Sequence, residues 1–319
     1  MEAPAKRNMN IDLLKLVFSL CIIGVHLDLF KEINLFAYRT LTQSLFRIGV
    51  PFYFITSGYF FAGKLEDRAR RNAWLFRLIR IYIIFELLDI VLNLLVPGIS
   101  YPFGYVILRI LTTGLNRIYW YLISLIVTCA LCSGLWRKGY TVHLIAAGFF
   151  LYLITMTYDS YSFLFENTFM AKIGEAHRFV WAWPQAGFGE SVLFLSIGVF
   201  LRQNQPHLRH TDLLLCVSLI FLIIEGNLCQ SHGAADANCY FFLIPSSVLL
   251  FLSAMRHDSL WQLKYAADMS LYIYMTHMYW SFVSALLSQN SLIRFIFTAA
   301  LSSAVSFLIV LFHRRRAEI

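Results

Sequence analysis

The sequence predicts an all-α, polytopic integral membrane protein. It has about ten transmembrane helices, both termini in the cytoplasm, and a single membrane domain over residues 1–319. Three observations predict this class. Hydrophobic residues make up 59% of the 319 positions and charged residues only 14%, whereas soluble domains run near one quarter charged. So much apolar surface cannot be hidden in one aqueous core of this size, so most of it faces lipid. The second observation is length. A spanning helix takes about 20 apolar residues, so ten use roughly 200 positions and leave about 120 for short loops and tails. The third is pattern. Runs such as Ile81 to Ile84 and Leu213 to Ile224 are continuous, whereas transmembrane β-strands alternate apolar and polar residues.

Apolar runs set against breakers and charges place the spans near 11–30, 44–63, 74–96, 118–136, 141–158, 186–201, 212–228, 239–255, 266–288 and 292–312. The first follows a short tail with Lys6 and Arg7. Its apolar run continues past His26 without a small-residue cleavage site, and Lys15 interrupts it, so it reads as a span and not a signal peptide. Lys64, Arg68, Arg70 and Arg71 part the second span from the third. Pro97, Gly98, Pro102 and Gly104 break 97–117, a stretch with room for a short re-entrant or interfacial helix. Arg137 and Lys138 part the fourth and fifth spans. Residues 159–185 are polar and aromatic, with Trp181, Trp183 and Pro184. Arg202 and Arg209 follow the sixth span, Arg256 and Lys264 the eighth, and Arg314 to Arg316 close the tenth.

The excess of 26 Lys+Arg over 18 Asp+Glu sets orientation and does not point to nucleic acid. With a cytoplasmic N-terminus, fifteen of the 26 basic residues lie on inside segments and seven on outside loops. The remaining four, Lys15, Arg47, Arg77 and Arg80, fall within spans.

Charged side chains in spans are costly and mark function. Lys15 and His26 lie eleven residues apart on one face of the first span, separated by about 16 Å of helical rise. Lys15 sits near the cytoplasmic surface and His26 in the outer half of the bilayer. The bland readings are that Lys15 snorkels and that His26 bonds a neighbouring helix. Arg77 and Arg80 share a face one turn apart. Paired guanidiniums there suit phosphate oxygens in forked geometry, against the alternative of membrane anchoring.

These residues carry a resemblance. Lys15-x10-His26 resembles the Arg-x10-His signature of the first helix in the acyltransferase family 3 membrane proteins. Arg47-Ile48-Gly49-Val50-Pro51-Phe52 through Ser57-Gly58 is similar to that family's second helix, and Arg77-x-x-Arg80 to its third-helix pair. Trp120-Tyr121-Leu122 resembles a later Trp-Tyr/Phe-Leu, and Ser270-x-x-x-Tyr274-x-x-His277 a late Ser-x-x-x-Tyr-x-x-His. The chain resembles the minimal, membrane-only members without a fused esterase-like domain. Lys15 departs from the family's Arg, keeping the charge but losing the bidentate fork.

The resemblance implies an O-acyltransferase of the bacterial inner membrane. It would move an acyl group, acetyl by default, from cytoplasmic acyl-coenzyme A to a sugar hydroxyl of a surface or lipid-linked glycan. On that reading Arg77, Arg80 and Lys15 bind the donor, which is a substrate and not a resident cofactor. His26 is a general base or a nucleophile. His277, Tyr274 and Glu190 are candidates to orient it, and Arg47, Ser57 and Tyr121 are further site candidates. Asp28 points away from His26 on an ideal helix. Glu190 and Glu225 fall at outer span ends, where the headgroup region is the default. The partners are acyl-coenzyme A, a glycan or glycolipid acceptor and membrane lipid.

The rival class is a transporter or flippase of a lipid-linked sugar or small metabolite, which uses intramembrane charges in the same way. Paired broken helices of an inverted repeat are not visible. The histidines show neither HExxH nor ligand spacing for a metal. Cys129-x-x-Cys132 reads as packing on an apolar helix, and Cys229 and Cys239 are the pair placed for a disulfide.

Overall fold

The computed structural model describes residues 8–95, 103–234, 238–257 and 265–317. Every regular element among them is helical, and no strand occurs. The chain opens with α1 (Met9–His26). A one-turn α2 (Leu35–Ala37) leads through a π turn (Tyr38–Thr42) and a 3-10 turn (Leu45–Ile48) into α3 (Gly49–Ala62). Then come α4 (Arg68–Leu95), α5 (Phe103–Thr112), α6 (Trp120–Arg137), α7 (Thr141–Tyr158), α8 (Phe169–Trp181) and α9 (Phe188–Asn204). The last helices are α10 (Thr211–Ser231), α11 (Leu243–Arg256), α12 (Ala266–Leu287) and α13 (Ser291–Ala317).

A helix lies at each position where a span is expected. By length and composition, 6 segments suffice to cross a membrane: Met9–His26, Leu35–Ala62, Trp120–Arg137, Thr141–Tyr158, Thr211–Ser231 and Ser291–His313. The other four expected spans differ for physical reasons. Helix α4 carries Arg77, Arg80, Glu86 and Asp89 along its length. Helix α9 has 17 residues and α11 has 14, short of the roughly 20 that cross a bilayer. Helix α12 is long enough, but Ser, Thr, Tyr and His residues dilute its apolar character.

The 97–117 stretch contains α5, the short helix for which it has room. Pro97, Gly98 and Pro102 lie outside the described residues, as do Lys6, Arg7, Lys264 and the side chains of Arg314 to Arg316. The 159–185 stretch contains α8, which its polar composition did not suggest. Thr168 starts that helix by accepting a hydrogen bond from the Met170 amide at 3.2 Å, satisfying one of the orphan donors of a first turn.

Contacts divide the chain into two compact units interleaved in sequence. The first comprises the chain up to Gly49, Arg209–Asn227 and Pro245 onward. In it, Ile23, Leu27 and Ile273 form a core joined by Leu16, Leu20, Met269, Phe295 and Ala299, which ties α1 to α12 and α13. Small hydroxyls add cross-helix bonds, Ser218 to Ser246 at 2.7 Å and Thr298 to Ser284 at 3.2 Å. Such bonds average about 0.6 kcal/mol in lipid.

The second unit comprises Val50–Leu208 and Leu228–Ile244 and is built around α9. From Gly189 to Leu201 nearly every α9 residue is buried. Thr128, Trp136 and Thr141 bond Ser191, Ser196 and Gln203 at 2.8, 3.1 and 2.9 Å. Where α3 and α7 cross α9, Gly58, Gly148 and Gly198 let backbones touch, the device that membrane helices use in place of a hydrophobic drive.

Candidate active site

In the first unit the two motif histidines meet. Helix α1 ends at His26 because the chain turns sharply: Asp28 and Phe30 take positive φ of 50° and 74°, which non-glycine residues rarely adopt. Thr42 donates to the Leu29 carbonyl at 2.7 Å, and the Phe30 amide donates to Ser291 Oγ at 3.1 Å, so the turn is pinned on two sides. His277 comes from the middle of α12. The two imidazole centres lie 5.1 Å apart with planes tilted by 34°.

The two rings have different surroundings. His26 is exposed, while His277 is 1% exposed. The His277 Nδ1 lies 2.7 Å from the Tyr274 carbonyl. A carbonyl only accepts, so Nδ1 carries the hydrogen and the lone pair is on Nε2. That Nε2 is buried without a hydrogen-bond partner among the described residues. The Tyr274 ring lies 6.2 Å from the same imidazole. A buried acceptor left open beside an exposed histidine is the arrangement that a substrate hydroxyl would complete.

A hydrogen-bonded relay adjoins this pair, and sequence reasoning missed most of it. The Arg47 Nη2 donates to Gln43 Oε1 at 2.5 Å, and Gln43 Nε2 donates to the Tyr38 hydroxyl. Tyr38 in turn donates to Asp28 Oδ1 at 2.9 Å, and Lys31 Nζ donates to Asp28 Oδ2 at 2.8 Å. Gln43 and Tyr38 are buried. The hydrogen bond to Asp28 raises the Lys31 pKa, with burial opposing it. Arg47 lies within electrostatic range of the His26 ring. Asp28 leaves the helical path, so its side chain serves Tyr38 and Lys31. A polar cluster at 38–47 in an otherwise apolar stretch was the available signal. Lys15 is half-buried on α1, three turns before His26.

The second unit holds the remaining candidates. Arg77 and Arg80 are exposed on α4. The Ser57 and Tyr121 hydroxyls meet at 3.3 Å, with Tyr121 packed 4.6 Å from the Phe54 ring, so two motifs distant in sequence converge. Glu190 is 2% exposed and accepts a hydrogen bond from Cys239 Sγ at 3.6 Å. Glu225, in the first unit, is 7% exposed. Both glutamates are thus packed inside protein and not on an exposed surface. Asp159, unremarked in the sequence, is fully buried and accepts from the Asn238 and Cys239 amides at 3.0 and 2.6 Å. Cys229 and Cys239 are both free thiols, as are Cys129 and Cys132. Trp183 Nε1 donates to the Arg117 carbonyl at 2.8 Å, and Trp181 packs over Gly187. No group of three or more His, Cys, Asp or Glu side chains among the described residues is placed to hold a metal.

Residues 8–311 match the family described as an acyltransferase domain. An amino-acid racemase of Enterococcus faecalis is 23% identical over 286 residues, covering 85% of this chain and 40% of the relative. A serine/alanine racemase of Enterococcus gallinarum is 27% identical over 314 residues, covering 91% of this chain and 44% of the relative. The chain thus spans less than half the length of each of these curated relatives. No solved structure matches it.

Proposed function

The chain belongs to this acyltransferase family, and from that premise we propose that it is an O-acyltransferase. It moves an acyl group, with acetyl as the first candidate, from cytoplasmic acyl-coenzyme A to a sugar hydroxyl of a surface or lipid-linked glycan. It does so in the bacterial inner membrane, with ten passes and both termini cytoplasmic. The observation that carries this reading is the pairing of His26 with His277 at 5.1 Å, an exposed imidazole beside a buried one whose tautomer is defined. Arg77 and Arg80 bind donor phosphates through charge-assisted bonds, and Lys15 lines the donor's route along α1.

Two routes use the same residues. In one, a His26 nitrogen takes the acceptor's proton while the hydroxyl oxygen attacks the thioester carbonyl. In the other, His26 attacks first and carries the acyl group until the sugar accepts it. In both, the C–S bond breaks and coenzyme A leaves as the thiol. The Arg47 guanidinium stabilises the oxyanion that forms on the carbonyl. Label retained on purified protein without acceptor distinguishes the second route from the first.

The test is to incubate membranes with acetyl-labelled coenzyme A and follow label into glycolipid. Purified His26→Gln, which keeps hydrogen bonding but takes no proton at neutral pH, should lose at least about 10²-fold in turnover. Turnover near wild type in a folded His26→Gln protein would remove His26 from the chemistry. A second reading, transport or flipping of a lipid-linked sugar or small metabolite, draws on the same intramembrane charges. Because the relatives are named as amino-acid racemases, amino acids are the first metabolites to try. It predicts uptake of labelled serine or alanine into proteoliposomes with no acyl transfer.

A further inference from the structure

The last turn of α3 carries three successive aromatic residues, and two of them meet a cation of the second unit, Tyr59 through its side chain and Phe60 through its backbone carbonyl. The Arg202 guanidinium of α9 lies 5.3 Å from the Tyr59 ring centre, and its Nη1 donates to Tyr59 Oη at 3.4 Å. Lys64 folds back to donate from Nζ to the Phe60 carbonyl at 2.8 Å. Phe61 packs 4.9 Å from Trp74, one helical turn before Arg77 on α4. The Tyr59 and Phe60 rings meet edge to face at 5.4 Å. Two cations therefore meet adjacent residues of α3, Arg202 at the Tyr59 side chain and Lys64 at the Phe60 carbonyl, with the exposed Arg77 and Arg80 further along a helix joined to the same turn.

This gathering is rigid and uncompensated. A Cβ at Gly58 would lie 2.2 Å from the Leu195 carbonyl oxygen, and one at Gly198 2.1 Å from that of Ile55. The two helices are therefore in backbone contact just before the cations emerge. Among the described residues neither Lys64 nor Arg202 forms an ion pair with a carboxylate. The nearby acids are engaged elsewhere: Glu66 with Arg137 at 3.5 Å and Asp67 with Arg70 at 3.1 Å. Burial, then the charges of Arg202 and Arg70, hold the half-buried Lys64 ammonium below its usual pKa. Like charges within electrostatic range of one another and without a carboxylate partner favour an anion of high charge density.

We propose that Lys64 and Arg202 form a phosphate-binding pair, separate from Arg77 and Arg80, that takes the terminal phosphomonoester at the nucleotide end of the acyl-coenzyme A donor. This deepens the acyltransferase reading and rests on it. Arg77 and Arg80, spaced about 4.5 Å along α4, suit the two singly charged groups of a diphosphate. A phosphomonoester concentrates a charge of about −1.5 to −2 on the oxygens of one phosphate group, which suits one cation from the turn after α3 and another from α9. A lipid phosphate shares this chemistry and is the competing source.

The experiment compares acetyl-coenzyme A with its 3′-dephospho analogue, using the full chain reconstituted with acceptor. Wild type, Lys64→Gln, Arg202→Gln and the double variant are each assayed in neutral and in anionic lipid. With the complete donor, the double variant should raise the apparent KM at least about tenfold with kcat little changed. With the dephospho donor, wild type should already show the raised KM and the variants should add nothing. Equal effects on both donors, or no effect on either, would overturn the assignment. Effects that appear only in anionic lipid and are the same for both donors would give the pair to a lipid headgroup. If wild type transfers acetyl from neither donor, it is the acyltransferase reading that fails. Titration of adenosine 3′,5′-bisphosphate into purified wild type and double variant then decides the pair alone: tenfold weaker binding supports it, equal binding sinks it.

Discussion

Each hydrogen bond in the relay from Arg47 to Asp28 has one permitted direction. The carboxylate accepts only, so the Tyr38 hydroxyl spends its hydrogen there and must accept from the Gln43 amide nitrogen. The Gln43 carbonyl oxygen is thereby turned toward Arg47. Tyr38→Phe removes the centre of this chain and leaves a buried amide donor without its acceptor, at about 1–3 kcal/mol. With the amide free to flip, Arg47 loses its bond to Gln43. Turnover of Tyr38→Phe should fall roughly tenfold with the donor KM unchanged, and Tyr38→Phe combined with Gln43→Leu should be no worse than Gln43→Leu alone, since residues in one network do not add. Fully additive losses in steady-state kinetics would show that the relay does not act as a unit. His26, His277 and Arg47 were legible in the sequence because each sits in a motif. Gln43, Tyr38 and Asp28 were not, because they meet across a turn with two positive-φ residues that helical periodicity cannot anticipate.

Elements were legible as apolar runs, and a helix occupies every position so marked, but the partners of each helix were hidden. In lipid both the core and the outer surface are apolar, so hydropathy does not say which face packs. Helix α9 shows the consequence: 17 residues, short for a span, yet the most enclosed helix of its unit. Its contacts rest on missing side chains. An alanine at position 198 would place its Cβ 2.1 Å from the Ile55 carbonyl oxygen and 2.8 Å from the Tyr59 amide nitrogen, so α3 and α9 must part. Gly198→Ala should cost about 1–3 kcal/mol, the range for overpacking, and lower the melting temperature in detergent. Gly134→Ala is the control, because nothing lies within 4 Å of the added carbon on exposed α6 surface. It should leave the melting temperature unchanged or raise it, as alanine is the better helix former. Equal melting of both variants with wild type would mean that the α3–α9 contact is looser than its backbone distances imply.

For the whole molecule, charge asymmetry makes the strongest statement about orientation, and it bears on both donor assignments. Lys64, Arg77, Arg80 and Arg202 serve a cytoplasmic donor only if the 64–80 and 202–209 segments face the cytoplasm. Fifteen of 26 basic residues fall on that side when the N-terminus is inside, against seven outside, and short loops with excess Lys and Arg stay in the cytoplasm. Reporter fusions after residues 68, 138, 207, 260 and 316 should therefore report the cytoplasm, and fusions near 36, 100, 170 and 232 the opposite side. The pattern also tests the less apolar helices one at a time. If α4 crosses, the fusions at 68 and 100 must disagree; if α9 crosses, so must those at 170 and 207. The pair at 232 and 260 does the same for α11, and 260 is compared with a fusion at 289 for α12. Agreement within one pair would demote that helix to an enclosed or interfacial one and invert everything after it. A fully reversed pattern would leave His26 near the cytoplasmic face and the arginines outside, where coenzyme A is absent, and the donor assignments would fall together.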